Sequence, residues 1–465
     1  MQTFQLRTDA CHAFTVGNKS YLYHSIRGDV YEVDELTATL YRQLQTKDQV
    51  LAGDQHNLEE INEAEKNERL NELREFDIYL QQNSEQSLPL KKLKIDALAL
   101  EITFACNFSC RYCFAANARD KRSRQQSAMT KETAFKAVDY LFENCEKDEC
   151  FITFGGGEPL LATKVLEETV KYARNCEMQT GKKCFISIST NGAFLSKEFI
   201  KFALDNYLDI CVSLDGPPNV QDNLRPLSNG QGSWAKIEEP IRNYLEAYQK
   251  RSKCRLTITQ QNKDFIQLSE YLVNLGFGYI FPHYVQTKKS DLVLSEKDIH
   301  DLCSQYTEVA EGLITDFEKY KPFLAYFSNH IKLIDGRQKV IFGCRAGKNY
   351  FAVSPDGNIY PCHRFIGYDD FVLGNLNTST NNLYNNFFMN AHVDVRECIT
   401  CWCRYLCGGA CLYDAYLYSG SNLNPDPKLC RLYRHRIELA IYLYINLRKT
   451  LKNLKEELFR VMEGA

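Results

Sequence analysis

No hydrophobic run in this sequence is long enough to cross a bilayer. The longest, IELAIYLYINL near the C-terminus, falls well short of the roughly 20 apolar residues a spanning helix needs, and a Glu and an Asn interrupt it. The N-terminal MQTFQLRTDACH has no basic-then-apolar segment, so the expectation is a cytoplasmic protein with no membrane partner. An excess of one charge is missing as well. The 56 Lys and Arg nearly balance the 59 Asp and Glu, for a net charge of −3, which gives no electrostatic reason to expect nucleic acid. What remains is an ordinary globular composition, 44% hydrophobic and 25% charged over 465 residues, with length for more than one core.

Cysteine, by contrast, is abundant. The 19 cysteines are too dilute for a small disulfide scaffold, and in a reducing compartment they read as metal ligands or core thiols. Cys11, Cys145, Cys150, Cys176, Cys184, Cys211, Cys254 and Cys303 are scattered singly among apolar residues and read as small buried hydrophobes. The others gather at 106–113 and 344–430.

The chain divides by pattern. In residues 1–85, AFTV, SYLYHS and DVYEVD read as short strands. DELTATLYRQLQ reads as a helix capped by Asp34, and the polar stretches NLEEINEAEK and NERLNELREFDIYLQQ as two more. NSEQSLPLKK is a candidate linker. Residues 95–310 alternate strand and helix: IDALALEIT, CFITF, CFISIST, LDICVSL, CRLTIT and YIFPHYV are near-continuous apolar strands, and helices such as TKETAFKAVDYLFENC, capped by Thr130, lie between them. The fold class expected is α/β, with a partial (β/α)6 TIM-type barrel whose active site lies at the C-terminal ends of the strands. Residues 311–343 read as a bridging helical region, 344–445 as a cysteine-rich domain and 446–465 as a helical tail, and the basic stretch RLYRHRIELAIYLYINLRKTLKNLKEELFR across the last two reads as one long helix that closes the fold with a solvated face.

The loop after the first barrel strand is CNFSCRYCF, with Cys106, Cys110 and Cys113. Three close thiolates can hold iron or zinc. A structural zinc ion needs a fourth ligand, and neither Cys nor His lies adjacent. A four-iron, four-sulfur cube can be held by three thiolates, leaving one iron open to a small chelating molecule. Glycines 155–157 in FGGGEP permit close backbone approach. Glu158 can accept from an ammonium group, and Arg225 in DNLRP can pair with a carboxylate.

This C-x3-C-x2-C loop, followed in order by FGGGEP, STNG and SLDGP after successive strands, resembles the radical S-adenosylmethionine (radical SAM) superfamily. The resemblance implies a [4Fe-4S] cluster on Cys106, Cys110 and Cys113, with S-adenosyl-L-methionine on its open iron. The residues implied to contact that cofactor are Tyr112, Gly156, Gly157, Glu158, Ser189, Asn191, Ser213 and Arg225. The second cysteine group resembles the SPASM extension. That implies two auxiliary clusters, one on Cys344, Cys362 and Cys411 and one on Cys398, Cys401, Cys407 and Cys430, and so three [4Fe-4S] clusters in all. A double zinc module is the alternative for these spacings. Fully ligated relatives have a further Cys where Tyr350 stands, so the first auxiliary cluster has either an open iron or Cys403 as its fourth ligand.

GCRAGKNYFAVSPDGNIYPCHRFIG followed by FVLGN resembles thioether-forming maturases of the SCIFF/ranthipeptide and quinohemoprotein amine dehydrogenase types. The implied reaction joins a Cys sulfur to a carbon in a ribosomally made precursor peptide, with a reduced flavodoxin or ferredoxin-type donor. Where anaerobic sulfatase maturases have an Asp, this chain has His363, which counts against formylglycine formation. The strands-then-helices order of residues 1–85 resembles a winged-helix-like recognition element for a leader peptide, with SYLYHS or DVYEVD as the docking edge. The alternatives within the enzyme class are C–C or C–O cross-linking, epimerisation and sulfatase-type maturation. From other classes they are an iron–sulfur electron carrier or a peptide-binding module. His363, His283 and Tyr284 are candidate general bases.

Overall fold

The computed structural model describes residues 11–46, 95–115, 128–378 and 391–453. The chain opens on an antiparallel meander of β1 (Cys11–Val16), β2 (Lys19–His24) and β3 (Asp29–Val33), in the spatial order β1-β2-β3. The helix Glu35–Thr46 follows, and Asp34 Oδ1 accepts from Thr37 N at 2.7 Å, the N-cap expected. Strand order corrects one expectation. β2, which carries SYLYH, is hydrogen-bonded on both sides and cannot be a docking edge. β1 packs on the long helix Pro427–Asn453, and β3 lies along a groove of about 340 Å³ lined by Gly28, Tyr31, Glu32, Arg337 and Tyr444. The helices read at 57–66 and 67–82, the linker at 83–92 and the last twelve residues lie outside the described residues, so the structure shows a meander and one helix and does not bear on the winged-helix expectation.

The six expected barrel strands form in chain order, each parallel to the next: β4 (Ala97–Thr103), β5 (Glu149–Gly156), β6 (Lys183–Thr190), β7 (Leu208–Ser213), β8 (Lys253–Ile258) and β9 (Tyr279–Tyr284). Every residue of β4 is buried and β6 alternates, because helices cover one face and side chains fill the other. The helix Lys131–Asn144 starts at Thr130, whose hydroxyl accepts from Thr133 N at 3.2 Å, and buries Val138, Leu141 and Phe142.

The sheet continues past β4. β10 (Tyr350–Val353) pairs parallel with β4, then β11 (Asn358–Tyr360) and β12 (Gly374–Asn375) add antiparallel, giving nine strands in one sheet. The seam is held by Asp96, which accepts from Arg345, from Lys147 Nζ at 2.5 Å and from Asn349 Nδ2 at 3.0 Å. The second cysteine region is therefore stitched to the barrel edge beside the first cysteine loop. The helix Pro427–Asn453 packs on the helices Glu296–Thr315 and Ala325–Asp335 and buries Leu432, Ile437 and Leu443. It does close the fold, but not all of its basic residues are solvated. Arg436 turns inward and donates to the Tyr326 carbonyl at 2.7 Å.

Candidate active site

The cysteine loop leaves β4 and is pinned by Phe108, 1% exposed, and by backbone bonds to the segment that carries Arg225. Ser109 N donates to Pro226 O at 2.8 Å, Arg111 N to Leu224 O at 2.9 Å, and Ser228 N to Asn107 O at 2.9 Å. Burial pushes the Cys110 thiol up to about 12, against the pull of Arg225, and Cys106 and Cys113 stand beside it.

The loop borders a cavity of about 450 Å³ at the C-terminal ends of the strands. Every residue nominated as a cofactor contact lines it, as do all three nominated bases. The glycine run is a cradle with no room for a side chain. A Cβ on Gly156, where φ is +130°, would lie 2.3 Å from Thr103 O, and one on Gly157 would lie 2.2 Å from Ala105 O. Glu158 is 1% exposed and accepts from Leu160 N (3.1 Å), Thr190 Oγ1 (2.7 Å) and Asn191 N (2.7 Å). Burial nonetheless raises its pKa, with those bonds opposing. A carboxylate offers about four lone-pair sites, so one remains. Asn191 is committed as well. Its Nδ2 donates to Asn107 at 2.9 Å and its Oδ1 accepts from Ala193 N, which ties the STNG turn to the cysteine loop.

Arg225 is buried. It donates to Tyr112 OH at 2.8 Å, Tyr112 in turn bonds Asp215, and Asp215 is fully buried. The Nε of Arg225 has no partner among the described residues. The Ser189 and Ser213 hydroxyls make no hydrogen bond among the described residues. An orphaned guanidinium nitrogen, two free hydroxyls, a spare carboxylate site and a glycine cradle beside three thiols fit a zwitterionic, ribose-bearing cofactor held at a thiolate-ligated cluster.

The other thiols sort by neighbourhood. Cys362 is buried, and its nearest thiols are Cys344 and Cys411; Arg364 donates to Cys411 Sγ at 3.5 Å and to Asp414 Oδ1 at 2.5 Å. Cys430 is grouped with Cys407, Cys398 and Cys401. Cys403 Sγ is 3.6 Å from Cys401 Sγ, and its thiol neighbours are Cys401 and Cys407. It therefore stands with the second group and not with Cys344, Cys362 and Cys411. Its hydrogen bond is the main reason the Cys401 pKa falls to about 6, with Arg434 assisting. Tyr350, at the position of the absent thiol, bonds His363 Nδ1 at 2.6 Å. Among the described residues no three His, Cys, Asp or Glu side chains converge on a single-ion site. A four-iron cluster, whose thiolates attach to different metal atoms, does not need that convergence.

Residues 100–270 match the radical SAM superfamily, and residues 344–404 match an iron–sulfur cluster-binding domain, SPASM. The chain belongs to the radical SAM superfamily and carries a SPASM domain. This radical SAM enzyme is 24% identical to a cysteine-type anaerobic sulfatase-maturating enzyme of Clostridium perfringens, over 75% of this chain and 96% of that one. It is 23% identical to the radical SAM cyclopropyl synthase TigE of Paramaledivibacter caminithermalis, over 91% of this chain and 93% of that one. The solved structure of anSMEcpe with bound AdoMet and the Cp18Cys peptide shares the fold. The TM-score is 0.62 at 20% identity, covering 76% of this chain and 99% of that one.

Sequence patterns did not single out several groups that line the enzyme's cavity: Glu101, Arg255, Arg364, Asp414 and Arg436. Their signal was a charged residue inside an otherwise apolar strand (Glu101 of β4, Arg255 of β8), just after Cys362 (Arg364), or on a helix (Asp414, Arg436). The nominated bases differ in condition. The accessible face of His283 opens to the cavity. Burial and then Arg255, Arg364 and Arg436 hold its pKa well below the usual imidazole range. Burial and then Arg364 bring His363 down to about 3. The Tyr284 hydroxyl is bonded to Tyr306, and burial keeps it protonated.

Proposed function

We propose that this enzyme joins a cysteine sulfur of a ribosomally made peptide to a carbon of another residue, forming a thioether. The observation that carries the reading is a single cavity shared by two cysteine neighbourhoods. One wall holds Cys106, Cys110 and Cys113, and another holds Tyr350, His363, Arg364 and Asp414, the residues around Cys362 and Cys411. In this reading Cys106, Cys110 and Cys113 hold the cofactor-binding cluster. Glu158 takes the methionine ammonium, Arg225 Nε the carboxylate, and Ser189 and Ser213 the ribose. Bound there and reduced, S-adenosylmethionine supplies a 5′-deoxyadenosyl radical that abstracts hydrogen from the substrate.

Cys344, Cys362 and Cys411 are assigned a second cluster. Tyr350 brings no thiol to it, and a substrate sulfur is the ligand the reading puts there. Cys398, Cys401, Cys407 and Cys430 are assigned a third, fully ligated cluster. The β3 edge and its groove are the favoured place for a leader peptide, since an edge strand offers unpaired backbone groups. A reduced flavodoxin or ferredoxin-type protein is the proposed donor.

The likeness to a sulfatase-maturating enzyme supports a second reading, oxidation of a protein cysteine. His363 argues against it. It replaces the Asp expected of that chemistry, and its imidazole is a weak base at about 3. The test is the reconstituted enzyme with S-adenosylmethionine, dithionite and the short peptide encoded beside its gene. A thioether requires 5′-deoxyadenosine, a peptide lighter by two hydrogens, and one alkylatable thiol fewer. Unchanged thiols would turn the reading to C–C, C–O or epimerising chemistry, and uncleaved cofactor would turn it to an electron carrier or binding module.

A further inference from the structure

Glu101 is the anomalous carboxyl of the cavity. It sits on β4, 8% exposed, directly opposite Gly155 of β5. A Cβ on Gly155 would come within 2.7 Å of Glu101 Oε1, so the carboxyl lies directly over Gly155 and a side chain there would make it shift. Among the described residues it makes no hydrogen bond and no ion pair. The other cavity carboxylates are engaged, Glu158 by three donors and Asp414 by Arg364. A buried carboxyl without a partner is costly to the fold, and such groups are kept where they do chemistry.

Its surroundings define that chemistry. β5 brings only Gly155 and Thr153 to it, neither titratable. β10 brings Tyr350, within electrostatic reach, and Tyr350 bonds His363, the residue after Cys362. Burial alone lifts the Glu101 pKa to about 8, near that of a free thiol. His363 is already bonded to Tyr350 and Tyr284 to Tyr306, and burial with Arg255, Arg364 and Arg436 opposes a charge on His283, which leaves the unbonded Glu101 carboxyl best placed to receive a proton.

We propose that Glu101 is a catalytic residue: it takes the proton that the substrate cysteine gives up on the way to its new bond. The inference rests on the cross-linking reading above. Thioether formation removes two hydrogens. The one on carbon leaves as an atom, to the 5′-deoxyadenosyl radical, and the one on sulfur leaves as a proton, to Glu101. The carbon radical and the sulfur form the C–S bond, and the one electron left over passes to an iron–sulfur acceptor.

The test compares reconstituted wild type, E101Q and E101D with the peptide. It reads S-adenosylmethionine binding by equilibrium dialysis, 5′-deoxyadenosine, cross-linked product, and the pH profile of product formation. In E101Q, cofactor binding and 5′-deoxyadenosine formation persist. Product per 5′-deoxyadenosine falls by about 100-fold or more, and the rise in rate toward pH 8 is lost. E101D recovers part of both. Product per 5′-deoxyadenosine within about threefold of wild type in E101Q overturns the inference alone, provided wild type cross-links. So does parallel loss of cofactor affinity, which would make Glu101 a cofactor-positioning residue. A wild type that forms 5′-deoxyadenosine but never oxidises its peptide overturns the cross-linking reading and this inference with it.

Discussion

Removing Lys147 and Arg345 together tests whether Asp96 fastens the SPASM hairpin to the barrel. The Asp96 side chain is 1% exposed, whereas those of Lys147 and Arg345 are 58% and 47% exposed. The asymmetry fixes the order of effects. If the carboxylate goes, as in D96N, the two cations rehydrate where they stand. The loss is then that of charge-assisted bonds to half-exposed partners, about 2 kcal/mol. If the cations go, as in K147M/R345M, the carboxylate stays buried with only Asn349 and its neighbours, a cost of about 3–5 kcal/mol. Adding D96N to that pair removes the stranded charge, so the triple variant is more stable than the double. Hydrogen–deuterium exchange of the β4 and β10 amides reads this locally, and about 4 kcal/mol corresponds to opening about 1,000-fold more often. Exchange in K147M/R345M within about tenfold of wild type, or a triple variant that exchanges no more slowly than the double, would refute the reasoning.

Four further outcomes are expected. G157A pushes a methyl into Ala105 O and costs about 1–3 kcal/mol of packing at the cradle, so S-adenosylmethionine binding weakens about tenfold or more by equilibrium dialysis. C401S lowers iron and sulfide content by one cluster, whereas C403A leaves both unchanged and moves one cluster's reduction potential downward, because a hydrogen bond to its sulfur is lost; redox titration separates the two. Y350C supplies a fourth thiol to the Cys344, Cys362 and Cys411 set, and cross-linked product falls while iron content does not. Burial raises the Glu438 pKa, but hydrogen bonds from His12 and His435 outweigh it and hold it at about 2. A depressed carboxylate contributes stability that is present above about 4.5 and lost as pH falls toward 2, so at pH 7 H12A speeds exchange of β1 amides about tenfold, while wild type keeps its protection down to mildly acidic pH.

The barrel was legible because its parallel strands leave near-continuous apolar runs, and alternate residues of CFITF and CFISIST are fully buried. Caps such as Asp34 and Thr130 were legible because capping is local. Pairing of strands far apart in sequence was not. Nothing near Tyr350 announces that it lies against Ala97, and nothing within SYLYHS says whether it is central or at an edge. Every nominated cofactor contact reached one cavity because those residues sit at the C-terminal ends of successive strands or in the segments that follow them, and strand ends converge. Glu101 escaped notice because one acidic residue in LALEIT reads as ordinary alternation; only the register with Gly155 shows it to be alone. Cys403 could not be assigned by spacing, since CWC allows either group, and distance decides it.

The first strand of the N-terminal meander is not a free-standing tag. The His12 ring stacks on Trp402 at 3.9 Å, with its Nε2 2.7 Å from Glu438, and Asn446 donates to Tyr21 OH at 2.9 Å. Trp402 stands between Cys401 and Cys403. The N-terminal meander and the cysteine-rich domain thus share one aromatic contact. Exchanging the first ninety residues for those of a relative would strip away the ring stacked on Trp402, the residue between Cys401 and Cys403. A working chimera must carry His12, Tyr21 and their counterparts on the long helix as one unit.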